Sequence, residues 1–504
     1  MRSLKCLILG LVAAVAASAA SFTVVTYNVE NLFDADGVAA YDDYQPAVYT
    51  PQHFATKLEN IAKVLAKFGG GAGPEVILFQ EIELDQTQGK SAPDYSAMLR
   101  RLEGRTVRGW LSMPDLPAEL KDLPSEAWLL KALADAKLTG YTVISGDGGN
   151  AKAHEDGNRP SIKCVTFTRF PVLDVARYPT ENARDILETK LNVEGNPFYV
   201  FNLHWKSGAG DVKTETTRVQ NAGVLRTRLS ELLKSDPSAD VVIGGDFNSQ
   251  YNQKQRYPKM KQTGLNDVLG SQGNELALRG TTRDLYNLWF ELPEDQRGSD
   301  TYQGEWGTLI QMLVTRGLYD QNGIQYQDNS FGVARIADLN VDAAGVPLRW
   351  SPDGELGSGF SDHLPVYAHF RTVPDRRKDR WMELSRPSET ETDAAIRPVS
   401  YEGVDRSKAL TIASLPDGAD LRDGTWSGKL FKVTGASVPN RYPMVHFAGQ
   451  DYEIYGVNKD VRGLIYAQRD QQAEFDFYGE LGTFKGTWQF VVQDPSWVTP
   501  IAQD

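Results

Sequence analysis

Four short apolar runs, each ending at a polar residue, constrain the fold of this chain more than any other feature. The run at 23–27 ends at Asn28, that at 76–79 at Gln80 and Glu81, that at 198–203 at His204, and that at 241–245 at Asp246. Each run is short and rich in β-branched or aromatic residues, the pattern of a buried strand. Between the runs, Phe54, Leu58, Ile61, Leu65 and Phe68, and then Val219, Ala222, Leu225, Leu229 and Leu232, recur at the spacing of an amphipathic helix. An α/β fold is expected, with polar side chains gathered at strand ends.

The chain has 504 residues, 41% hydrophobic and 24% charged, which is enough for more than one core and excludes disorder, a collagen-like fibre and a membrane bundle. Residues 1–19 read as a secretory signal peptide: Arg2 and Lys5 precede an apolar run at 6–15 and then Ala16, Ala17, Ser18 and Ala19. That run is shorter than the roughly 20 residues of a spanning helix. Export to the periplasm or the medium is therefore expected, with cleavage after Ala19.

The formal net charge is −13. Loss of Arg2 and Lys5 makes the mature chain more acidic still, so no global basic field advertises nucleic acid. Local binding through a few Arg and Lys side chains and a divalent metal stays open. No basic amphipathic helix points to a membrane, and no stable membrane association is expected. Of the two cysteines, Cys6 leaves with the leader, and Cys164 is expected to be a buried, inert thiol.

Residues 20–374 form the expected catalytic domain. The stretch 375–408 is crowded with charged residues, contains Pro387 and Pro398, and reads as a linker. Alternating segments at 430–433, 452–455 and 488–492, separated by glycine turns, predict a small all-β domain over 409–504.

Several strand ends carry residues with chemistry. In Asp246-Phe247-Asn248 a carboxylate and an amide follow Gly244 and Gly245, so one can activate a water and the other can orient it. Glu81 supplies an anionic oxygen of the kind Mg²⁺ or Ca²⁺ prefers. Asn28 and Glu30 follow the first run, and Ser361-Asp362-His363-Leu364-Pro365 precedes another at 366–370. Of six histidines, His204 and His363 fall at such ends. Each element taken alone is ordinary turn chemistry.

Together, and in this order, Tyr27-Asn28-Val29-Glu30-Asn31-Leu32-Phe33, Gln80-Glu81, Asn202-Leu203-His204, Gly245-Asp246-Phe247-Asn248 and Ser361-Asp362-His363-Leu364-Pro365-Val366 resemble the endonuclease/exonuclease/phosphatase superfamily. The resemblance covers residues 22 to about 372. It implies a DNase I-like, four-layered α/β sandwich and a metal-dependent phosphodiesterase. Carried over residue by residue, it implies Glu81 as principal metal ligand, with Asn28, Glu30 and Asp362 contributing directly or through water. The metal implied is Mg²⁺ first, with Mn²⁺ or Ca²⁺ as alternatives. Asp246 would activate the attacking water, Asn248 would orient it or the phosphate, and His204 and His363 would contact the phosphate. Arg159 matches a family arginine and is expected on the substrate.

One position departs from the family pattern. Where the family carries an Asp that pairs with the histidine of the Ser-Asp-His motif, this chain has Ile310. Either His363 is mis-tuned, another residue such as Gln311 substitutes, or activity has been lost. The end of the chain, around Trp488-Gln489-Phe490-Val491-Val492, resembles the last strands of an OB-fold, which implies single-stranded nucleic acid stacked on aromatics such as Trp488. The leading expectation is an exported nuclease acting on DNA or RNA. Lipid or small phosphoesters, and a non-catalytic binding protein favoured by Ile310, stand as alternatives.

Overall fold

The computed structural model describes residues 20–87, 93–146, 160–389, 396–416, 418–422, 424–438, 443–447, 449–471, 474–484 and 487–500. The expected signal peptide and Arg159 lie outside them. Among the described residues no helix is long and apolar enough to cross a membrane.

All four apolar runs are strands, and they share two seven-stranded sheets. In the first sheet Ser21–Leu32 lies between Val76–Glu83, to which it runs parallel, and Val366–Trp381, to which it runs antiparallel. Ile162–Thr168 and Thr142–Ser145 extend one side, and Asp320–Tyr326 the other. The second sheet runs Val172–Tyr178, Ile186–Val193, Asn196–His204, Val241–Asp246, Ile310–Val314, Leu285–Asn287 and Ser271–Gln272.

Side-chain alternation decides what each face packs against. Phe22, Val24, Val76, Leu78 and Phe370 of the first sheet meet Phe198, Val200, Val242, Ile310 and Met312 of the second in one apolar core. The opposite face of the first sheet, with Val25, Tyr27, Ile77 and Phe79, is covered by the helices Pro51–Leu65 and Ser125–Asp135. Leu58, Ile61 and Leu65 are wholly buried there, each contributing about 1.5–3 kcal/mol of burial. Helix Val212–Ser235 covers the far face of the second sheet through Ala222, Leu225, Leu229 and Leu232. Cys164 is free and buried in this mixed α/β region, and burial pushes its thiol well above the ordinary range.

A separate sheet-rich domain follows, with its own core around Phe431, Tyr452, Phe477, Phe490 and Trp497. It also contains a helix, Lys459–Gln471, that the strand pattern does not anticipate. Val461 and Ile465 are its two most buried apolar residues, a stripe too narrow to stand out in a polar segment.

The stretch expected as a linker is more ordered at both ends than its composition suggests. Val366–Trp381 continues well past residue 374, pairing Arg377 with Gln321. At the other end Tyr401 is buried against Trp497 and donates to Asp342 Oδ2 at 2.7 Å, tying the two domains together. Residues 374–380 are all exposed on a backbone that still pairs at Arg377 and Trp381, so composition reads as linker where hydrogen bonding makes strand.

Candidate active site

Parallel pairing brings the polar strand ends together. Asn28 lies opposite Gln80 in the first sheet, and His204 lies opposite Asp246 in the second. In α/β sheets the carboxyl ends of parallel strands are where ligand groups collect. Gly245 permits the crowding just before Asp246, because a Cβ there would meet the Leu203 carbonyl oxygen at 2.0 Å.

Glu81 reaches the site through a bulge. Pairing slips between Phe79 and Ile82, and Glu81 itself adopts φ 63°. The neighbouring strand is irregular between Asn28 and Leu32, with Glu30 and Asn31 at φ 51° and 56°. Such backbone costs roughly 1–3 kcal/mol per residue and persists only where its surroundings hold it. Here Asn31 N donates to Glu81 Oε2 at 2.9 Å, and the buried Lys57 ammonium donates to the Glu30 carbonyl and, at 3.1 Å, to the Asn31 carbonyl.

The result is a compact donor group. One ligand atom each from Glu81, His204 and Asp246 lie within 4.8 Å of one another. His204 Nε2 is 3.6 Å from Asp246 Oδ2 and 3.9 Å from Glu81 Oε1. Asn28 Nδ2 bridges the two carboxylates, donating to Glu81 Oε1 at 2.9 Å and to Asp246 Oδ2 at 3.1 Å. Its own Oδ1 accepts from Glu30 N at 2.9 Å, so Asn28 offers the centre donors rather than an oxygen. Two carboxylate oxygens held close beside an imidazole suit a divalent cation.

His363 completes the centre from the other side. Ser361 Oγ donates to the Asn28 carbonyl at 2.7 Å and accepts from His363 N at 3.1 Å, locking the motif to the first strand. His363 Nε2 lies 3.9 Å from Asp246 Oδ2 and 3.8 Å from Asp362 Oδ1. The carboxylate missing at Ile310 is supplied from elsewhere: Asp300 pairs with His363 in an antiparallel bridge, its Oδ1 4.0 Å from His363 Nδ1. Leu309 N and Ser299 Oγ both donate to Asp300 Oδ1 at 3.0 Å. Asp300 fits because residue 307 is glycine, since a Cβ there would meet Asp300 Oδ2 at 2.0 Å. Ile310 instead sits in the core between the sheets, fully buried. Gln311 is occupied with Asn287, Ser249 and Thr308.

Burial and charge divide the two imidazoles. Burial alone would lower His363, but Asp362, Asp246, Asp300 and Glu81 overcome it and raise its pKa to about 9. Burial holds His204 well below the ordinary histidine value, helped by Arg184 and His363. At neutral pH His363 is therefore the cation and His204 is neutral. Burial raises Asp246 to about 6, against the pull of His363 and the Asn248 N–H.

Other expected site residues are placed with differing intimacy. Asn248, buried at φ 47°, donates from its backbone N to Asp246 Oδ1 at 2.8 Å and from Nδ2 to the Trp205 carbonyl at 3.1 Å. Asp362 stands at the rim, near His363 and 3.7 Å from Arg349. Glu30 is turned aside from the expected ligand position, because Oε1 accepts from Arg349 at 2.9 Å and Oε2 from Trp350 N at 2.9 Å. Gln80 and Asn202 form a clamp between the sheets, Gln80 Nε2 donating to Asn202 Oδ1 at 2.7 Å. Trp488 is half-buried against the core of the C-terminal domain, opposite Thr483. Sequence reasoning missed Asp300 and Arg349. The short pair of strands around Gln303-Gly304 was the available signal for Asp300, but nothing in the chain order points it at His363.

The sequence model of the Endonuclease/Exonuclease/phosphatase family matches residues 23–88 and 159–372. The chain belongs to this family. Its members are phosphoester hydrolases, and the matched segments contain every residue of the centre just described. No curated protein sequence matches the chain. Solved structures similar to it include TDP2 from C. elegans, at 13% identity over 69% of this chain and 75% of that one with a TM-score of 0.36. An endonuclease/exonuclease/phosphatase family protein from Bacteroides thetaiotaomicron shares 14% identity over 70% of this chain and 98% of that one, with a TM-score of 0.37. The human Nocturnin catalytic domain shares 14% identity over 70% and 94%, with a TM-score of 0.36.

Proposed function

We propose that this chain is an exported, divalent-metal-dependent phosphodiesterase that hydrolyses nucleic acid. The observation that carries the reading is the convergence of Glu81, His204 and Asp246 within 4.8 Å beside a charged His363. Glu81 would be the principal ligand of the cation, Mg²⁺ by preference for anionic oxygen, with Asp362 at the rim. When bound, the cation supplies positive charge against the phosphoryl oxygens.

The protein's own residues supply the remainder. Asp246, with a pKa of about 6, is ionised at neutral pH yet basic enough to take a proton from an attacking water. Asn248 fixes its orientation through the backbone bond to Oδ1. Charged His363 donates toward the phosphoryl oxygen on which negative charge grows, in a site dry enough for that charge to matter. Asp300, its Oδ1 4.0 Å behind His363 Nδ1, favours the charged ring electrostatically. Neutral His204, buried with Nε2 3.6 Å from Asp246 Oδ2 and 3.9 Å from Glu81 Oε1, walls the inner side of the centre.

In the same reading the helices outside the two packed sheets make the family's four-layered α/β sandwich, and the C-terminal domain is an OB-like module that holds a single strand. Incubating the mature protein with single-stranded DNA, RNA and plasmid, in Mg²⁺ and in EDTA, tests it. Cleavage of a polynucleotide that EDTA abolishes is expected. Hydrolysis of small phosphomonoesters alone would favour the phosphatase reading instead.

A further inference from the structure

Lys57 sits on the buried face of helix Pro51–Leu65, with Phe54, Leu58 and Ile61, and is itself fully buried. An ammonium is costly to withdraw from water unless its donors are met. Here they are met by two main-chain carbonyls, that of Glu30 and, at 3.1 Å, that of Asn31, and the ring centres of Tyr44 and Trp350 lie 5.6 and 5.2 Å from Nζ. Burial lowers its pKa to about 8, against the pull of Glu30, Glu81 and Asp362, so the side chain is a cation at neutral pH. No step of the reaction described above uses this charge.

What Lys57 grips is one end of a peptide unit. The Glu30 carbonyl and the Asn31 N–H belong to the same trans peptide plane and point in opposite directions. On one side the carbonyl accepts from Lys57 Nζ and, at 3.3 Å, from Tyr44 Oη. On the other side the N–H donates to Glu81 Oε2 at 2.9 Å. Lys57 and Glu81 therefore stand at the two ends of one plane, and a rotation of that plane would break both bonds together. The plane joins two left-handed residues, Glu30 at φ 51° and Asn31 at φ 56°, a conformation that residues other than glycine keep only where their surroundings hold them. A cation on the carbonyl also polarises the amide and strengthens its donation to the carboxylate. Glu81 Oε1 is held by Asn28 Nδ2 at 2.9 Å, so the Asn31 N–H is the second of the two donors that fix the direction of the carboxylate.

We propose that Lys57 is a positioning residue for the catalytic cation: acting through the Glu30–Asn31 peptide unit, it fixes the Glu81 carboxylate in the direction that the cation requires. This rests on the phosphodiesterase reading above, in which Glu81 is the principal ligand. The two effects of this ammonium differ in sign. By its charge alone Lys57 opposes a divalent cation nearby, so its removal would tighten cation binding. By its hold on the peptide unit it favours the cation, so its removal loosens binding, and this second effect is the one that prevails.

Amide exchange and manganese calorimetry on Lys57→Met, with melting temperatures checking that it is folded, test the two parts separately. In EDTA, exchange followed by mass spectrometry is expected to be faster at residues 30–33 in the variant than in wild type, with the strand Val241–Asp246 unchanged. Manganese affinity is expected to fall about tenfold. The Mg²⁺ concentration for half-maximal hydrolysis of bis(p-nitrophenyl) phosphate should rise in step, while kcat at saturating Mg²⁺ stays within about threefold of wild type. In a Glu81→Gln background the same substitution should weaken manganese no further. Tighter or unchanged manganese binding by folded Lys57→Met overturns the proposal, as does unaltered exchange at 30–33 or an additive loss in the double variant. Should Lys57→Met not fold, Tyr44→Phe, which removes the other donor to the Glu30 carbonyl, is read by the same measurements: weaker binding with faster exchange upholds the role, and no change in either overturns it. Failure of wild type to bind manganese or to hydrolyse any phosphodiester would count against the functional reading, while amide exchange still decides whether Lys57 holds the turn.

Discussion

Asp300 stands behind His363, its Oδ1 4.0 Å from the ring Nδ1, across a bridge between two segments that are distant in the chain. A carboxylate charge behind the ring is thus present in space, although position 310 carries none, and it comes from another strand. Asp300→Asn is expected to lower kcat by roughly 10–100-fold, as loss of an orienting partner does. Because carboxylates raise His363 to about 9, removing one lowers its pKa, so the alkaline limb of the pH–rate profile moves to lower pH. Gly307→Ala should reproduce both effects by displacing the Asp300 side chain. A pH–rate profile unchanged in both variants would show that Asp300 does not act through His363.

Restoring the family residue should not help. Ile310 is fully buried, and its register partner is Asp246. Ile310→Asp would bury an uncompensated charge, at a cost on the order of 3–5 kcal/mol. Denaturant unfolding should show that loss, and the rate per folded molecule should not rise. An increase in rate would mean that the 310 position, rather than Asp300, governs His363.

Glu81→Gln keeps an acceptor for Asn31 N but removes the negative charge from the donor group. Manganese affinity measured by calorimetry is expected to fall about tenfold or more, with little change in melting temperature. Unaltered affinity would place the cation elsewhere.

Glu480 lies at the junction of the two domains. Burial, with Asp342 nearby, raises its pKa to about 7, although Gln493 donates to it at 2.8 Å. The unfolded chain gives up this proton near the ordinary glutamate value, whereas the folded chain keeps it until about pH 7. Folding stability is therefore lost as pH rises across that window and stays low above it. Glu480→Gln should remove this dependence, raising the melting temperature at pH 8 by roughly 2 °C or more and changing it less at pH 5. Parallel pH dependence in both proteins would contradict the assignment.

The strands, the two long helices and the order of the motifs were legible because burial writes itself into apolar periodicity. Gly245, ahead of Asp246, lies against the Leu203 carbonyl of the adjacent strand, a contact that the sequence does not specify. What sequence could not convey was direction. Glu30 resembles a ligand in its motif, yet the left-handed backbone at Glu30 and Asn31 turns its carboxylate to Arg349 and Trp350 N. Asp300 is silent in sequence because its role depends on a bridge formed only after folding. The joining segment misled through its charge, since the strand through Trp381 is held by backbone pairing that composition does not reveal.

The most direct measurement is the initial rate of bis(p-nitrophenyl) phosphate hydrolysis in saturating Mg²⁺ at pH 7.5, for wild type and Asp246→Asn. The substitution preserves shape and the acceptor for Asn248 N, gives up the bond from Asn28 Nδ2, and removes the base. Loss of at least a thousandfold in rate, with the fold intact, is the expected result. An Asp246→Asn protein within tenfold of wild type would show that hydrolysis does not depend on this carboxylate.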